Sequence, residues 1–358
     1  MIWLLLIALV GLPVFTRKVI KGADLRRFDR PVGEWFDTTE TDTQGQHQVK
    51  ARLAALRVDT QVQQGWRARL AALRDITDRL SDDLEFDGEV LPVQQDGIDG
   101  EWVIAAGADR DRRALVLHGG AFAIGTARGH RRLAAQVSMQ TRSAVLTINY
   151  RLFPEYSRDD SIADSHAAYY WLLEHGPDGA APARQALLVG DSAGGNLVLE
   201  LSAWLRDQRP QQPGLMQPAA VVAISPTVDS TLSGPSIIYN TDTDILLGDV
   251  GRLVHRLPHG LLVWLSTLFF RMHLPKPRYS PVFGDLAGLP PTLVHASDSE
   301  ILFSDAIRYT NKAQRAGSPV QLQIWRDQMH DWHLLGDGLQ AHSQAWQEIG
   351  KFVARHTG

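Results

Sequence analysis

The sequence predicts an α/β fold: a mostly parallel sheet of about eight strands with helices on both faces, plus a helical cap. Two observations predict the parallel sheet with helices on both of its faces. Short apolar runs rich in β-branched residues recur along the chain, and amphipathic helical patterns separate them. Parallel strands are buried on both faces and need crossover helices between them, so the alternation favours a parallel sheet.

The strands and helices of the sheet region follow from these runs. The predicted strands are 114–117, 144–149, 186–189, 220–224, 291–296 and 320–325, and the predicted helices lie near 128–139, 161–175, 194–208, 304–316 and 340–355. Within the helix at 194–208, Leu197, Leu201 and Leu205 recur at every fourth position. This spacing predicts a ridge of side chains that faces the core.

Residues 47–80 are predicted to be helical. Apolar side chains recur there at helical spacing, namely Val62, Trp66, Leu70, Leu73, Ile76 and Leu80. The heptapeptide Ala-Arg-Leu-Ala-Ala-Leu-Arg occurs at 51–57 and again at 68–74. Two copies are too few for a repeat array, so they indicate two similar helices of a cap.

Residues 1–16 are almost wholly apolar, and Arg17, Lys18 and Lys21 follow them. The run lacks the positive start and small-residue cleavage site of a signal peptide, and it is slightly shorter than the ~20 residues that span a bilayer. We expect a membrane attachment that leaves the rest of the chain on the cytoplasmic side. The alternative is a cytoplasmic protein in which this segment is a cap helix packed over the substrate pocket.

Composition excludes several classes of function. The formal net charge of −4 provides no basic surface for nucleic acid. The absence of cysteine excludes disulfides and cysteine–zinc sites, but it leaves the cellular compartment open. An apolar content of 44% in 358 residues is ordinary for a globular protein with one large domain and an accessory element.

A serine stands in a sharp turn between a predicted strand and a predicted helix. The turn reads Gly190-Asp191-Ser192-Ala193-Gly194. Because glycine has no Cβ, the flanking glycines allow the chain to fold tightly and to hold Ser192 in a strained, exposed position. A hydroxyl placed in this way can meet a neighbouring base, so Ser192 is the predicted nucleophile.

Paired glycines follow the strand 114–117, in the sequence His118-Gly119-Gly120. Such glycines leave backbone N–H groups open to a substrate oxygen. With the N–H of Ala193, those of Gly119 or Gly120 are predicted to form an oxyanion hole. The alternative for this segment alone is a plain glycine turn, with His118 hydrogen-bonded in the loop.

An acidic loop and a histidine loop leave neighbouring predicted strands. The strand 291–296 ends at Ser297-Asp298-Ser299-Glu300, and the strand 320–325 leads to His330 and His333. Parallel strands bring their carboxyl ends to one edge of the sheet, where open α/β sheets place their chemistry. The order serine, acid, histidine is also the order in which a nucleophile elbow is followed by its partners.

These motifs resemble the hormone-sensitive-lipase family of α/β-hydrolases over roughly residues 85–356. The matching segments are His118-Gly119-Gly120, Tyr150-Arg151-Leu152-Phe153-Pro154-Glu155, Gly190 to Asn196, Ser280 to Asp285, and the acid and histidine loops. The resemblance implies the α/β-hydrolase fold, a Ser-His-acid triad and ester hydrolysis without a metal or organic cofactor. It also places Ala121 where the family has a third glycine.

The resemblance assigns the triad as Ser192, Glu300 and His330. Glu300 stands thirty positions before His330, which is the family's spacing, and Asp298 is the alternative acid. His333 is the rival base. A zinc site formed by His330 and His333 is also conceivable, but no H-E-x-x-H context supports it.

The same resemblance divides the chain. Residues 17–84 form an N-terminal helical cap, and 85–358 form the catalytic domain with a cap insertion at about 230–278. The insertion contains the apolar run 260–270, expected to be part of a lid over the active site. The alternative is an apolar helix lying on lipid beside residues 1–16.

The predicted function is that of a serine carboxylesterase acting on short- to medium-chain hydrophobic carboxylic esters. Amide deacetylation by the same residues is a variant. The rival prediction is a catalytically silent ligand-binding protein on a hydrolase scaffold, as in plant hormone receptors that resemble this family and lack the catalytic histidine. The apolar lid is also suited to a homodimer contact.

Overall fold

A nine-stranded sheet forms the centre of the part of the chain that the computed structural model describes, namely residues 22–39, 42, 44–47, 49, 51, 63–256, 258–270 and 272–357. The strands of the chain are β1 (Glu34–Phe36), β2 (Gly88–Gln95), β3 (Ile98–Ala105), β4 (Asp109–Leu117), β5 (Ser143–Ile148), β6 (His175–Gly176), β7 (Gly179–Ala180), β8 (Gln185–Asp191), β9 (Ala220–Ile224), β10 (Thr292–Ser297) and β11 (Val320–Trp325). In the large sheet their order is β1-β11-β10-β9-β8-β4-β5-β3-β2, and β6 pairs only with β7.

Most neighbouring strands of this sheet run parallel. The two antiparallel pairings are those of β3 with β2 and with β5, so β3 runs in the opposite direction to the other strands of the sheet. The mostly parallel α/β architecture predicted from the sequence is therefore confirmed. The carboxyl ends of β4, β8, β10 and β11 meet at one edge of the sheet, and the loops that carry the candidate site leave from there.

The helices cover both faces of the sheet. The helices whose bounds fall within the described ranges are α1 (Trp66–Asp78), α2 (Arg131–Thr141), α3 (Arg158–Glu174), α4 (Ala193–Gln208), α5 (Ser236–Tyr239), α6 (Gly248–Arg256), α7 (His259–Phe270), α8 (Phe303–Arg315), α9 (Trp332–Leu335) and α10 (Gln340–Thr357), with 3₁₀ turns at Arg26–Phe28 and Pro281–Phe283. Helices α2 and α10 pack on one face, whereas α3, α4 and α8 pack on the other. On α4, Leu197, Leu201 and Leu205 are fully buried, as the predicted ridge requires.

Strand β1 lies inside the range 17–84, which the sequence assigns to the cap. Its three residues add a parallel edge strand to the sheet, with Trp35 opposite Ile324 of β11. The sequence gives no sign of it because the strand is too short to show alternation and its first two residues are exposed. Strands β2 and β3 also escaped prediction. In β2, most residues are exposed or half-buried, and Pro92 interrupts the run.

Two parts of the chain lie over the edge of the sheet that carries the loops. One is α1, which contains the second heptapeptide copy, 68–74; the other is the turn before α6 together with the start of α6, within the predicted insertion at about 230–278. The first heptapeptide copy begins at Ala51, and its remaining residues lie outside the described residues. The same holds for residues 1–16. No helix in the described ranges combines the length and the apolar character needed to cross a bilayer.

Candidate active site

Ser192 occupies the turn between β8 and α4. Its backbone has φ 51° and ψ −110°, a conformation that L-residues rarely adopt. The turn depends on both flanking glycines. A Cβ on Gly194 would overlap the carbonyl oxygen of Leu117, and one on Gly190 would overlap the carbonyl oxygen of Gly194. The N–H of Ser192 donates to the carbonyl of Ile224 at 2.8 Å, which ties the turn to β9.

The loops after β10 and β11 bring a carboxylate and an imidazole to this serine. The Nε2 atom of His330 lies 2.9 Å from Ser192 Oγ, and its Nδ1 atom lies 2.7 Å from Glu300 Oε2. All three residues are at least nine-tenths buried. The structure thus joins three residues that are far apart in sequence into one chain of hydrogen bonds.

Glu300 is fixed by further donors. Its Oε1 atom accepts hydrogen bonds from the Ser297 N–H at 2.7 Å and from the Ser225 hydroxyl at 2.9 Å. Burial raises the pKa of Glu300, although the hydrogen bond from His330 and that from the Ser297 backbone act in the opposite direction. With its other oxygen facing Nδ1, the carboxylate orients the ring and leaves Nε2 toward Ser192.

The two rival residues have other partners. Asp298 accepts a hydrogen bond from the Asp327 N–H at 2.8 Å and lies 3.8 Å from Arg326. His333 is fully buried, with its Nε2 atom 2.9 Å from Nδ1 of His295. Burial lowers the pKa of His333 well below its usual value. Glu300 is therefore the acid that contacts His330, while His333 belongs to the core.

Because His330 and His333 are engaged separately, their rings are not arranged as a pair of metal ligands. Across the described residues, no group of three or more histidine, aspartate or glutamate side chains could hold a metal ion.

The glycine loop after β4 requires one correction to the predicted oxyanion hole. The N–H of Gly119 donates to Asp191 Oδ1 at 3.0 Å, so it is not open to a substrate. In the described part of the chain, the N–H groups of Gly120, Ala121 and Ala193 have no acceptor. Ala121 therefore replaces Gly119 as a candidate donor. The sequence could not reveal this, because it does not show that the Asp191 side chain turns toward the loop.

A set of buried side chains holds this loop in place. Tyr150 donates from its hydroxyl to the carbonyl of His118 at 2.7 Å and stacks on the His118 ring. The guanidinium of Arg158 lies 3.8 Å from the ring centroid of Phe122 and donates to Asn196 Oδ1 at 2.8 Å. Burial lowers the pKa of Arg158 to about 10. The loop is thus linked to the first turn of α4, and the sequence analysis overlooked both contacts.

A cavity of about 450 Å³ opens above Ser192 and His330. Its walls are mainly aliphatic, from Leu73, Ile76 and Leu80 of α1 or the turn after it, Ile124, Leu246, Leu247, Leu334 and Leu335. The polar residues that line it are Thr77, His130, Asp191, Asp249 and Asp331. The cavity suits an apolar group placed next to the serine hydroxyl.

The comparisons with known proteins agree with this geometry. The profile of a family described as having the α/β-hydrolase fold matches residues 114–334, which include the serine, the acid, the histidine and the glycine loop. The chain belongs to this α/β-hydrolase family. Membership accounts for the turn at Ser192 and for the position of the site at the carboxyl edge of the sheet.

Relatives of this hydrolase include enzymes named for ester cleavage. It is 35% identical over 263 residues to a protein named acetyl-hydrolase from Streptomyces hygroscopicus, covering 72% of this chain and 80% of the relative. The chain is also similar to a crystal structure of an esterase/lipase from an uncultured bacterium, with 30% sequence identity and a TM-score of 0.70. The match covers 86% of this chain and 98% of the chain in that structure.

A further structure supports the narrower resemblance. It is described as an esterase from the bacterial hormone-sensitive lipase family, is 29% identical to this hydrolase with a TM-score of 0.71, and covers 87% of this chain and 98% of its own. The resemblance to the hormone-sensitive-lipase family predicted from the sequence is confirmed.

Proposed function

We propose that this hydrolase cleaves short- to medium-chain hydrophobic carboxylic esters, with Ser192 as nucleophile, His330 as general base and acid, and Glu300 as the orienting acid. That the chain is a carboxylic ester hydrolase follows from its family and from its esterase relatives. The proposal adds the residues that act and the kind of ester. The hydrogen-bond chain from Ser192 through His330 to Glu300 supports it most directly.

In the first step, His330 Nε2 takes the proton from Ser192 Oγ as this oxygen attacks the ester carbonyl carbon. Glu300 holds the ring tautomer through Nδ1–H and stabilises the imidazolium that forms. The carbonyl oxygen becomes an oxyanion, for which the N–H groups of Gly120, Ala121 and Ala193 are the donors. The oxyanion then re-forms the carbonyl and the C–O bond to the leaving oxygen breaks, while His330 gives its proton to that oxygen, so that an alcohol leaves the acyl-enzyme.

In the second step, His330 removes a proton from a water molecule, which attacks the acyl-enzyme. The tetrahedral intermediate uses the same donors, and the acid is released when His330 returns the proton to Ser192 Oγ. The aliphatic walls of the cavity support an alkyl chain as the group that fills it, because burial of alkyl surface is favourable by about 25 cal/mol per Å².

The test is hydrolysis of p-nitrophenyl esters from acetate to decanoate by the native protein and by Ser192→Ala. We expect turnover that varies with chain length in the native protein and none above background in the variant. A native protein that binds these esters without cleaving them would support the silent ligand-binding alternative. Cleavage of p-nitroacetanilide at a comparable rate would favour the amide deacetylase.

We also propose that residues 1–16 attach the enzyme to the cytoplasmic face of a membrane. The apolar sequence and the basic residues after it support this. So does α7, which exposes Leu261, Leu265 and Leu268 on one stripe.

Fractionation of cells that express the full chain or residues 17–358 tests the attachment. We expect the full chain with the membranes and the shortened chain in the supernatant. Equal recovery of both in the supernatant would contradict the proposal.

Sedimentation of the full chain at several concentrations tests for the homodimer, in which a second copy would cover the exposed leucines of α7.

A further inference from the structure

A second carboxylate reaches the reacting nitrogen of His330. The Oδ2 atom of Asp331 lies 3.1 Å from His330 Nε2, the same nitrogen that lies 2.9 Å from Ser192 Oγ. The other ring nitrogen faces Glu300. The imidazole therefore stands between two carboxylates, whereas the proposed mechanism uses only one of them.

Asp331 is held in this position by the backbone and by burial. It has φ 54°, in the left-handed region, where aspartate, asparagine and glycine are tolerated better than other residues. It is more than nine-tenths buried and lines the cavity. Its Oδ1 atom is also buried and has no hydrogen-bond partner within the described ranges. A buried carboxylate so poorly satisfied is costly for the fold, so its closeness to Nε2 calls for a functional explanation.

When both are deprotonated, the Nε2 atom of His330 and the Asp331 carboxylate are two acceptors that lie close together. Neutral His330 has its N–H at Nδ1, toward Glu300, and therefore presents a lone pair at Nε2. This lone pair and an ionised Asp331 repel each other at 3.1 Å, and a proton on either group removes the repulsion. The pair therefore retains a proton to higher pH than an isolated histidine would.

The other carboxylates around the pair act in the same direction, whereas His130 opposes them when it is protonated. Glu300 faces Nδ1 from the loop after β10, and Asp191 faces Asp331 from the end of β8. His130 lies on the far side of Asp191, with its Nε2 atom 3.5 Å from Asp191 Oδ2. Burial alone would lower the pKa of His330, but Asp331 and then Glu300 outweigh it and raise this pKa well above its usual value.

We propose that Asp331 is a positioning residue whose charge stabilises the imidazolium form of His330 and thereby displaces the acid limb of the pH profile of ester hydrolysis to higher pH. The inference rests on the proposed function, in which neutral His330 is the base. At low pH, the imidazolium is paired with Asp331 and cannot accept the proton of Ser192. As pH rises through the pKa of the pair, the proton leaves and Nε2 becomes the base.

Removal of the charge has effects of opposite sign at the two ends of the pH range. In Asp331→Asn, the imidazolium loses one of its two counter-charges, so the acid limb of kcat/KM moves down by about one to three pH units. Activity at low pH therefore rises. On the alkaline plateau, activity falls, because a less basic imidazole is a weaker general base.

The experiment measures kcat/KM for p-nitrophenyl butyrate as a function of pH. Asp331→Asn and Asp331→Gly both tolerate the positive φ and both lack the charge, so we expect the same downward shift in each. Asp331→Glu keeps the charge, so we expect the acid limb of its kcat/KM profile to lie closer to the native pH than that of Asp331→Asn. Asp298→Asn removes a charge from the neighbouring loop without touching His330 and is expected to leave the limb unchanged.

A merely structural role for Asp331 predicts a different result. Activity would then fall by one factor at every pH, with no gain at low pH, and this result would overturn the inference. A limb that moves equally in Asp298→Asn would also overturn it, because the effect would then be one of overall charge. A titration of the His330 ring by NMR provides a second readout, in which Asp331→Gly should lower the midpoint.

The inference and the proposed function fail in separate ways. If Ser192→Ala retains native turnover, the proposed function is wrong. If Ser192→Ala is inactive while the profiles of Asp331→Asn and Asp331→Gly coincide with the native profile, only the role of Asp331 is wrong.

Discussion

The floor and the roof of the cavity are built in different ways. The floor consists of Ser192 and His330, with Glu300 beneath them, and these three buried residues are joined by hydrogen bonds of 2.7 and 2.9 Å. The roof consists of aliphatic side chains such as Leu73 of α1 and Leu247 of the turn before α6. None of the residues of α1 is fully buried. The floor therefore has one arrangement set by polar contacts, whereas apolar packing leaves the roof adaptable.

This difference separates chemistry from selectivity. A change in the floor is expected to alter whether any ester is cleaved, with all substrates affected alike. A change in the roof is expected to alter which ester is preferred.

The largest effect is expected from the floor. In His330→Ala, Ser192 loses its base, and kcat for every p-nitrophenyl ester should fall by about 10⁶-fold. The measurement is initial rates over the acyl series, with circular dichroism to show that the fold is intact. A folded variant that retains a substantial part of native turnover would mean that another group acts as base.

A smaller loss is expected at the orienting acid. Glu300→Gln keeps the shape of the side chain but no longer stabilises the imidazolium, so kcat should fall by about 10⁴-fold. Asp298→Asn is the matched control, since it removes a carboxylate from the same loop, and it should retain near-native turnover. The reverse ranking of the two variants would make Asp298 the acid.

A substitution in the roof is expected to change the preference among acyl-chain lengths rather than the rate for all esters. Leu247→Trp fills part of the cavity, so decanoate should lose about 10- to 100-fold in kcat/KM relative to acetate, which needs little of this space. The control is Leu265→Trp, which adds the same side chain at an exposed position of α7. A uniform loss for all esters would show that the roof also positions the floor.

The smallest effect is expected outside the cavity. Leu261→Ser removes an exposed side chain from α7 and should change the free energy of unfolding by less than about 0.5 kcal/mol. Its neighbour Leu262 is buried, so Leu262→Ala should cost about 2–5 kcal/mol. Urea unfolding of both variants measures the difference. Equal destabilisation would show that the face with Leu261 is also covered.

Much of the floor could be predicted from the sequence because its residues belong to contiguous motifs. The glycines around Ser192 reflect a local steric need that is visible in five letters. Glu300 followed from the resemblance to the hormone-sensitive-lipase family, whose acid stands thirty positions before the histidine, and its side chain does contact His330. The parallel sheet was equally accessible, because buried strands are continuous apolar runs.

The remaining features depend on side-chain directions that spacing does not encode. Gly119 was expected to offer its N–H to the substrate, but the Asp191 side chain takes that donor. Asp331 escaped attention because only the left-handed backbone brings its carboxylate back to His330. Strand β1 was overlooked because its register comes from β11, far away in the chain.

The position of the acid and the base late in the chain has a consequence for biosynthesis. The turn at Ser192 lies between β8 and α4, but Glu300 and His330 follow β10 and β11, which are synthesised after it. A nascent chain that ends before residue 300 carries the serine without an acid or a base. Under the proposed roles, the Ser192 hydroxyl therefore stays inert toward esters until β11 and the loop after it have joined the sheet, and the onset of turnover reports that this edge of the sheet is complete.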